Sequence, residues 1–273
     1  MSNTKDENKR DRVIHFAIIT VFTLAFAVFE LCAFSYTQDA VKNAWIGRIL
    51  SNTCAGIAVL VLLRVLKTKP FGCVKKGIVL LPCLAVALAN LPILSYFNGN
   101  MQIVRTDAWD IVLFVFYCVS VGFIEELVFR GVLFPALLGN FSRDKKGIWK
   151  AFVLSSVFFG VAHLTNLFNG AGIVPTLLQT LYTTLTGGLF CFAFIKTKNV
   201  LCSAGIHAVY NIGGLIFDTP QRLGLGSGVV FDAPTVIVMV IIDVAVAVYV
   251  LLSMKNLSKT EQTDLYQQVG LTV

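Results

Sequence analysis

Charge is scarce in this chain: only 14% of its 273 residues are charged, whereas 56% are hydrophobic. That balance excludes an ordinary soluble globule. No polar stretch is long enough for a soluble domain, and neither a low-complexity linker nor an internal repeat is visible, so residues 1–273 read as one integral-membrane domain. The seven cysteines are odd in number, fall mostly inside apolar runs and show no CxxC spacing. They are expected as small apolar packing residues, without a disulfide framework or a zinc knuckle. HExxH is missing, and histidine occurs only three times. A cleavable signal is not expected either, because the run from Val13 to Phe34 is too long for a signal core and ends without a small-residue cleavage site.

What is present is a series of apolar windows of roughly 20 residues, the length that crosses a hydrocarbon core of about 30 Å. About eight occur, near Val13 to Phe34, Trp45 to Leu66, Gly77 to Phe97, Trp109 to Leu138, Trp149 to Phe168, Ile173 to Ile195, Val200 to Phe217 and Pro234 to Met254. The expected fold is therefore all-α, a polytopic membrane bundle. The net charge of +7 is carried by short basic clusters between these windows, not by a basic domain, which argues for a lipid bilayer and against nucleic acid as the partner. With the N-terminus inside, Arg64, Arg143, Lys145, Lys146, Lys150, Lys196, Lys198, Lys255 and Lys259 all fall on the inner side, and the outer loops keep Lys42, Arg48, Arg105 and Arg222. The positive-inside rule then gives eight spans with both termini inside. The polar tail at 255–273 is expected to be poorly ordered, and Asp110 is expected to reach water at the outer end of its span.

Charges inside spans are the exception that points to function. Glu125, Glu126 and Arg130 lie in the middle of the fourth window. Glu126 and Arg130 stand four apart on one helical face, an arrangement that suits a structural ion pair. Glu125 points about 100° away and is left free for chemistry. Two of the three histidines are also inside spans. Phe159 and His163 share a face of the fifth, and His207 and Asn211 share a face of the seventh. At 1.5 Å per residue, Glu125, His163, His207 and Asn211 all reach about mid-depth. Together they hold a base for water, a second proton partner and donors for a developing oxyanion.

These three motifs, EExxxR, FxxxH and HxxxN, in that order on separate spans, resemble the CAAX-protease and bacteriocin-processing family of intramembrane proteases. EELVFRGVLFPAL, FFGVAHL and GIHAVYNI look like bacterial members, and the resemblance runs from about Asp110 to Phe217, a protease core near 109–217. It implies that Glu125 activates water, that His163 assists, and that His207 and Asn211 polarise the scissile carbonyl. Glu126, Arg130 and Phe159 would support the site. The implied protein sits in the cell membrane, or in the endoplasmic reticulum membrane of a eukaryote. Its substrate would be a membrane-associated protein or peptide, lipidated if it is a CAAX protein proper.

Two questions stay open at this level. Zinc held by Glu125, His163 and His207 is an alternative to a metal-free site. A proton-coupled transporter, or a non-enzymatic bacteriocin-immunity or scaffold protein, is an alternative to a protease.

Overall fold

Backbone polar groups in lipid must be satisfied within the segment that carries them, so apolar runs of bilayer length fold as helices. A computed structural model of the chain describes residues 37–65, 68–72, 74, 77–168, 170–216, 224–226 and 233–271. The first expected span, Val13 to Phe34, lies outside the described residues. The helices are α1 (Ala40–Val65), α2 (Leu81–Ala89) after a 3-10 turn at Gly77–Leu80, α3 (Ile93–Phe97), α4 (Ala108–Glu126), α5 (Phe134–Asn140), α6 (Lys145–Ala162), α7 (Ile173–Thr197), α8 (Val200–Leu215), α9 (Ala233–Lys255) and α10 (Lys259–Gln268). Six helical segments, at 40–64, 77–97, 108–140, 145–167, 173–197 and 235–255, are long and apolar enough to cross a membrane. The seventh expected span is α8, whose 16 residues rise about 24 Å, less than a full hydrocarbon core.

Helix α4 is flanked by α1 and α8, α8 also meets α2 and α7, and α6 runs along α7. At one end, β1 (Met101–Ile103) and β2 (Gly224–Gly226) pair antiparallel and join the α3–α4 and α8–α9 connections.

The fourth span is not one straight helix. After α4 the chain makes a seven-residue π-helical segment, Leu127–Leu133, before resuming as α5. Pro135 at the start of α5 has no N–H to give and its ring would crowd the carbonyl of Gly131, so the ladder widens here. Its excess length is thus taken up by a change of helical winding inside the EExxxR motif.

Two further expectations are corrected. Asp110 does not reach water; it is 5% exposed and pairs with Lys42 at 2.8 Å and Arg105 at 3.1 Å. Arg105 also binds Asp39 at 2.8 Å, and its guanidinium holds that carboxyl down at about 2. This cluster ties the start of α1 to the start of α4.

The tail after Lys255 is also ordered as far as Leu271. Ser258 and Glu261 form a capping box that starts α10. Glu261 then reaches Lys196 on α7 at 2.7 Å, and the buried Tyr266 donates its hydroxyl to the Ser142 and Asp144 carbonyls. Asp243 sits on an exposed face midway along α9, and nothing in the structure explains a carboxyl there.

Candidate active site

Glu125 and Glu126 close α4 just before the winding changes. Gly122, three residues earlier, brings α4 against the backbone of α8. A Cβ there would stand 3.1 Å from the Ala208 nitrogen and 3.2 Å from the Ala204 carbonyl. That close approach delivers His207 to both carboxylates. Its Nδ1 lies 3.2 Å from Glu126 Oε1 and its Nε2 lies 3.7 Å from Glu125 Oε2. A carboxylate only accepts, so Nδ1 carries a proton and Nε2 is the nitrogen turned toward Glu125.

The expected ion pair is present. Arg130 Nε stands 3.1 Å from Glu126 Oε2, and both side chains are fully buried. The two atoms are in contact without hydrogen-bond alignment. Arg130 anchors itself elsewhere by donating from Nη2 to the Gly187 carbonyl on α7. Its guanidinium lies 4.8 Å from the centre of the Phe159 ring and within 6 Å of Phe129 and Phe190. Glu126 is therefore not spent on Arg130 alone, because one oxygen faces the guanidinium and the other holds the imidazole. Glu125 keeps 18% of its side-chain surface exposed where Glu126 keeps none, so the first can meet water and the second cannot.

His163 lies inside the fifth helical span, 145–167, where the winding changes. Helix α6 ends at Ala162, and His163 opens a 3-10 turn that runs to Leu167. Its Nδ1 lies 3.0 Å from the Phe159 carbonyl and donates to it, satisfying one of the last free carbonyls of α6. That leaves Nε2 free as an acceptor. The ring joins the rest of the site through Phe159, whose ring centre is 5.4 Å from His163 and 5.6 Å from His207. Asn211 follows one turn after His207 on α8, and its Nδ2 is buried with no hydrogen-bond partner among the described residues.

Phe190 carries no functional signal in the sequence, and Gly187 reads there only as one of several glycines, with Gly160, Gly188, Gly205, Gly213 and Gly214, that let the central helices pack closely. Phe190 stacks on His207 at 4.4 Å with the planes 17° apart, which sets the tilt of the imidazole. Gly187 receives Arg130 and leaves room for Phe159. One phenylalanine among 22 in an apolar run has nothing to mark it out.

As for zinc, no group of three or more His, Cys, Asp or Glu side chains among the described residues is arranged to hold a metal ion. The Nδ1 bonds of His163 and His207 would leave Nε2 of each ring as the ligating nitrogen, so it is the arrangement and not the tautomers that disfavours the ion. As they stand among the described residues, Glu125, His163 and His207 do not form a three-ligand group for zinc.

These features define the class: a multi-pass helical membrane protein with a Glu, His and Asn constellation in its interior. Residues 107–213 match the model of the family described as Type II CAAX prenyl endopeptidase Rce1-like. The chain is also 30% identical over 129 residues to CAAX prenyl protease 2 of Saccharomyces cerevisiae. That match takes in 44% of this chain and 39% of the relative, so the chain spans about two fifths of the relative's length. No solved structure matches the chain.

Proposed function

We propose that the protein is an intramembrane endopeptidase of the CAAX type, hydrolysing a peptide bond of a membrane-associated, prenylated protein or peptide. The observation that carries this reading is a single imidazole, His207, standing against two carboxylates one turn before an amide whose N–H is unengaged. In the reaction, Glu125 takes one proton from water, while the free Nε2 of His163 accepts a hydrogen bond from the same molecule, as the water oxygen bonds to the scissile carbonyl carbon. The carbonyl electrons move onto oxygen, and the doubly protonated ring of His207, with Nδ1–H held by Glu126, donates from Nε2–H alongside Asn211 Nδ2–H to that oxyanion. When the C–N bond breaks, the proton held by Glu125 passes to the departing amine. Glu126, fixed by Arg130, holds Nδ1 of His207 throughout. The setting is the cell membrane, or the endoplasmic reticulum membrane in a eukaryotic cell, with both termini on the cytoplasmic face.

The test uses the full chain in liposomes with a farnesylated CAAX peptide and mass spectrometry of the products. Glu125→Ala and His163→Ala should each lower turnover by about 10²–10⁴-fold while the protein still inserts. Normal turnover in either variant, or no cleavage by the unaltered protein, would sink the reading.

A further inference from the structure

The Nδ2 of Asn211 makes no hydrogen bond among the described residues. Its position in the site is therefore set by the backbone from which it grows. That backbone is gripped from outside α8. Asn90, which follows the last turn of α2, donates its Nδ2–H to the carbonyl of Tyr210 at 2.8 Å. The Tyr210 carbonyl and the Asn211 nitrogen belong to one planar peptide unit, so Asn90 holds the very unit that leads into Asn211.

The sequence of α8 is cut to admit this contact. A helical carbonyl faces the residues three and four positions on, and at those positions after Tyr210 stand Gly213 and Gly214. A Cβ on Gly213 would lie 2.3 Å from the Asn90 carbonyl oxygen and 3.0 Å from its Nδ2, so the two chains meet backbone to backbone. The carbonyl's first lone pair belongs to the helix ladder, and its second takes the amide. On the other side, the Tyr210 ring lies 6.1 Å from Phe190, which stacks on His207. The turn of α8 between the two proposed oxyanion donors is thus pinned to α2 by its backbone and to α7 by its ring.

We propose that Asn90 is a positioning residue for the oxyanion-binding pair, holding the Tyr210–Asn211 peptide unit so that Asn211 Nδ2–H meets the tetrahedral oxygen. The inference rests on the endopeptidase reading above. A donor useful to the transition state must sit 2.7–3.1 Å from where the oxyanion forms, so a small shift of this turn changes the chemical step more than binding.

Three variants test it in the full chain reconstituted in liposomes, with the farnesylated peptide as substrate. Asn90→Ala should lower kcat about tenfold or more with KM within about twofold. Asn90→Asp carries the sharper readout. Its ionised carboxylate cannot donate to Tyr210, whereas its protonated form can, so the ratio of its kcat to that of the unaltered protein should climb as pH falls through the carboxyl's titration. The same ratio for Asn90→Ala should stay flat. Gly213→Ala displaces Asn90 without changing its chemistry, and it should reproduce the kcat loss if an Asn90 variant fails to fold. Gly205→Ala, whose added methyl meets nothing within 4 Å, should leave kcat unchanged. Unaltered kcat in Asn90→Ala, or a flat pH ratio for Asn90→Asp, would overturn the inference while leaving the endopeptidase reading intact. Absence of cleavage by the unaltered protein would overturn both.

Discussion

His207 Nδ1 lies 3.2 Å from Glu126 Oε1, inside the bundle and out of reach of solvent. A second acid in EExxxR is thereby given to orientation and the first is left for chemistry. Glu126→Gln keeps the shape and removes the charge that holds the Nδ1 proton. It should lower kcat by about tenfold to a hundredfold with KM little changed, measured by steady-state kinetics on the prenylated peptide.

Arg130 is fully buried and sits against three aromatic rings. Arg130→Met removes the cation and leaves Glu126 charged in an apolar interior, which costs about 3–5 kcal/mol of stability. The double variant Glu126→Gln with Arg130→Met removes both charges and should be more stable than Arg130→Met alone. Unfolding curves in mild detergent decide between these orders.

Gly187 faces Phe159, and a Cβ there would lie 2.9 Å from its Cδ1. Gly187→Ala should cost about 1–3 kcal/mol by overpacking, and turnover should fall as the ring between the two histidines is displaced. Adding Phe159→Leu should recover stability without recovering turnover. Thermal unfolding and a peptide-cleavage assay on the same samples separate the two effects.

At the other end of the fold, burial pushes the Glu261 carboxyl up, but the Lys196 ammonium and the Ser258 cap outweigh it and hold the group at about 2. A carboxyl whose folded value lies below its ordinary 4.5 stabilises the docked helix above that pH and loses the contribution as pH falls toward 2. Protection from hydrogen exchange at 258–268, corrected for the intrinsic rate at each pH, should therefore fall between about pH 4.5 and 2. In Glu261→Gln protection should already be lower at neutral pH and lack that acid-side decrease.

The parts of this molecule that are local in sequence were legible there. Glu126 and Arg130 are four residues apart, and helical periodicity alone puts them in contact. The apolar windows gave six of the described crossings because backbone satisfaction in lipid leaves few other options. Contacts between distant segments were not legible. Asp110 looked free because Lys42 comes to it from the start of α1, while Arg105, in the loop just ahead of α4, offers no helical spacing that would show the pairing. Gly160 in the last turn of α6 is the one local mark of the change to 3-10 winding at His163, and a glycine inside an apolar run reads first as a site of close packing. In the tail a signal was present but passed over: Ser258 followed three residues later by Glu261 is a helix start, and net polarity hid it.

The widened turn at Leu127–Leu133 carries one more implication, for how this chain can vary. Loops that face water can gain or lose residues at little cost. Here, removal of a single residue between Glu126 and Arg130 would return the ladder to ordinary winding, and because a widened turn takes in an extra residue while the helix beyond keeps its facing, α5 would stay nearly in place. Arg130 would instead stand one position closer to Glu126 along the chain and lose its present place among the aromatic rings. Length in this stretch therefore sets where Arg130 stands, and α5 is buffered from it.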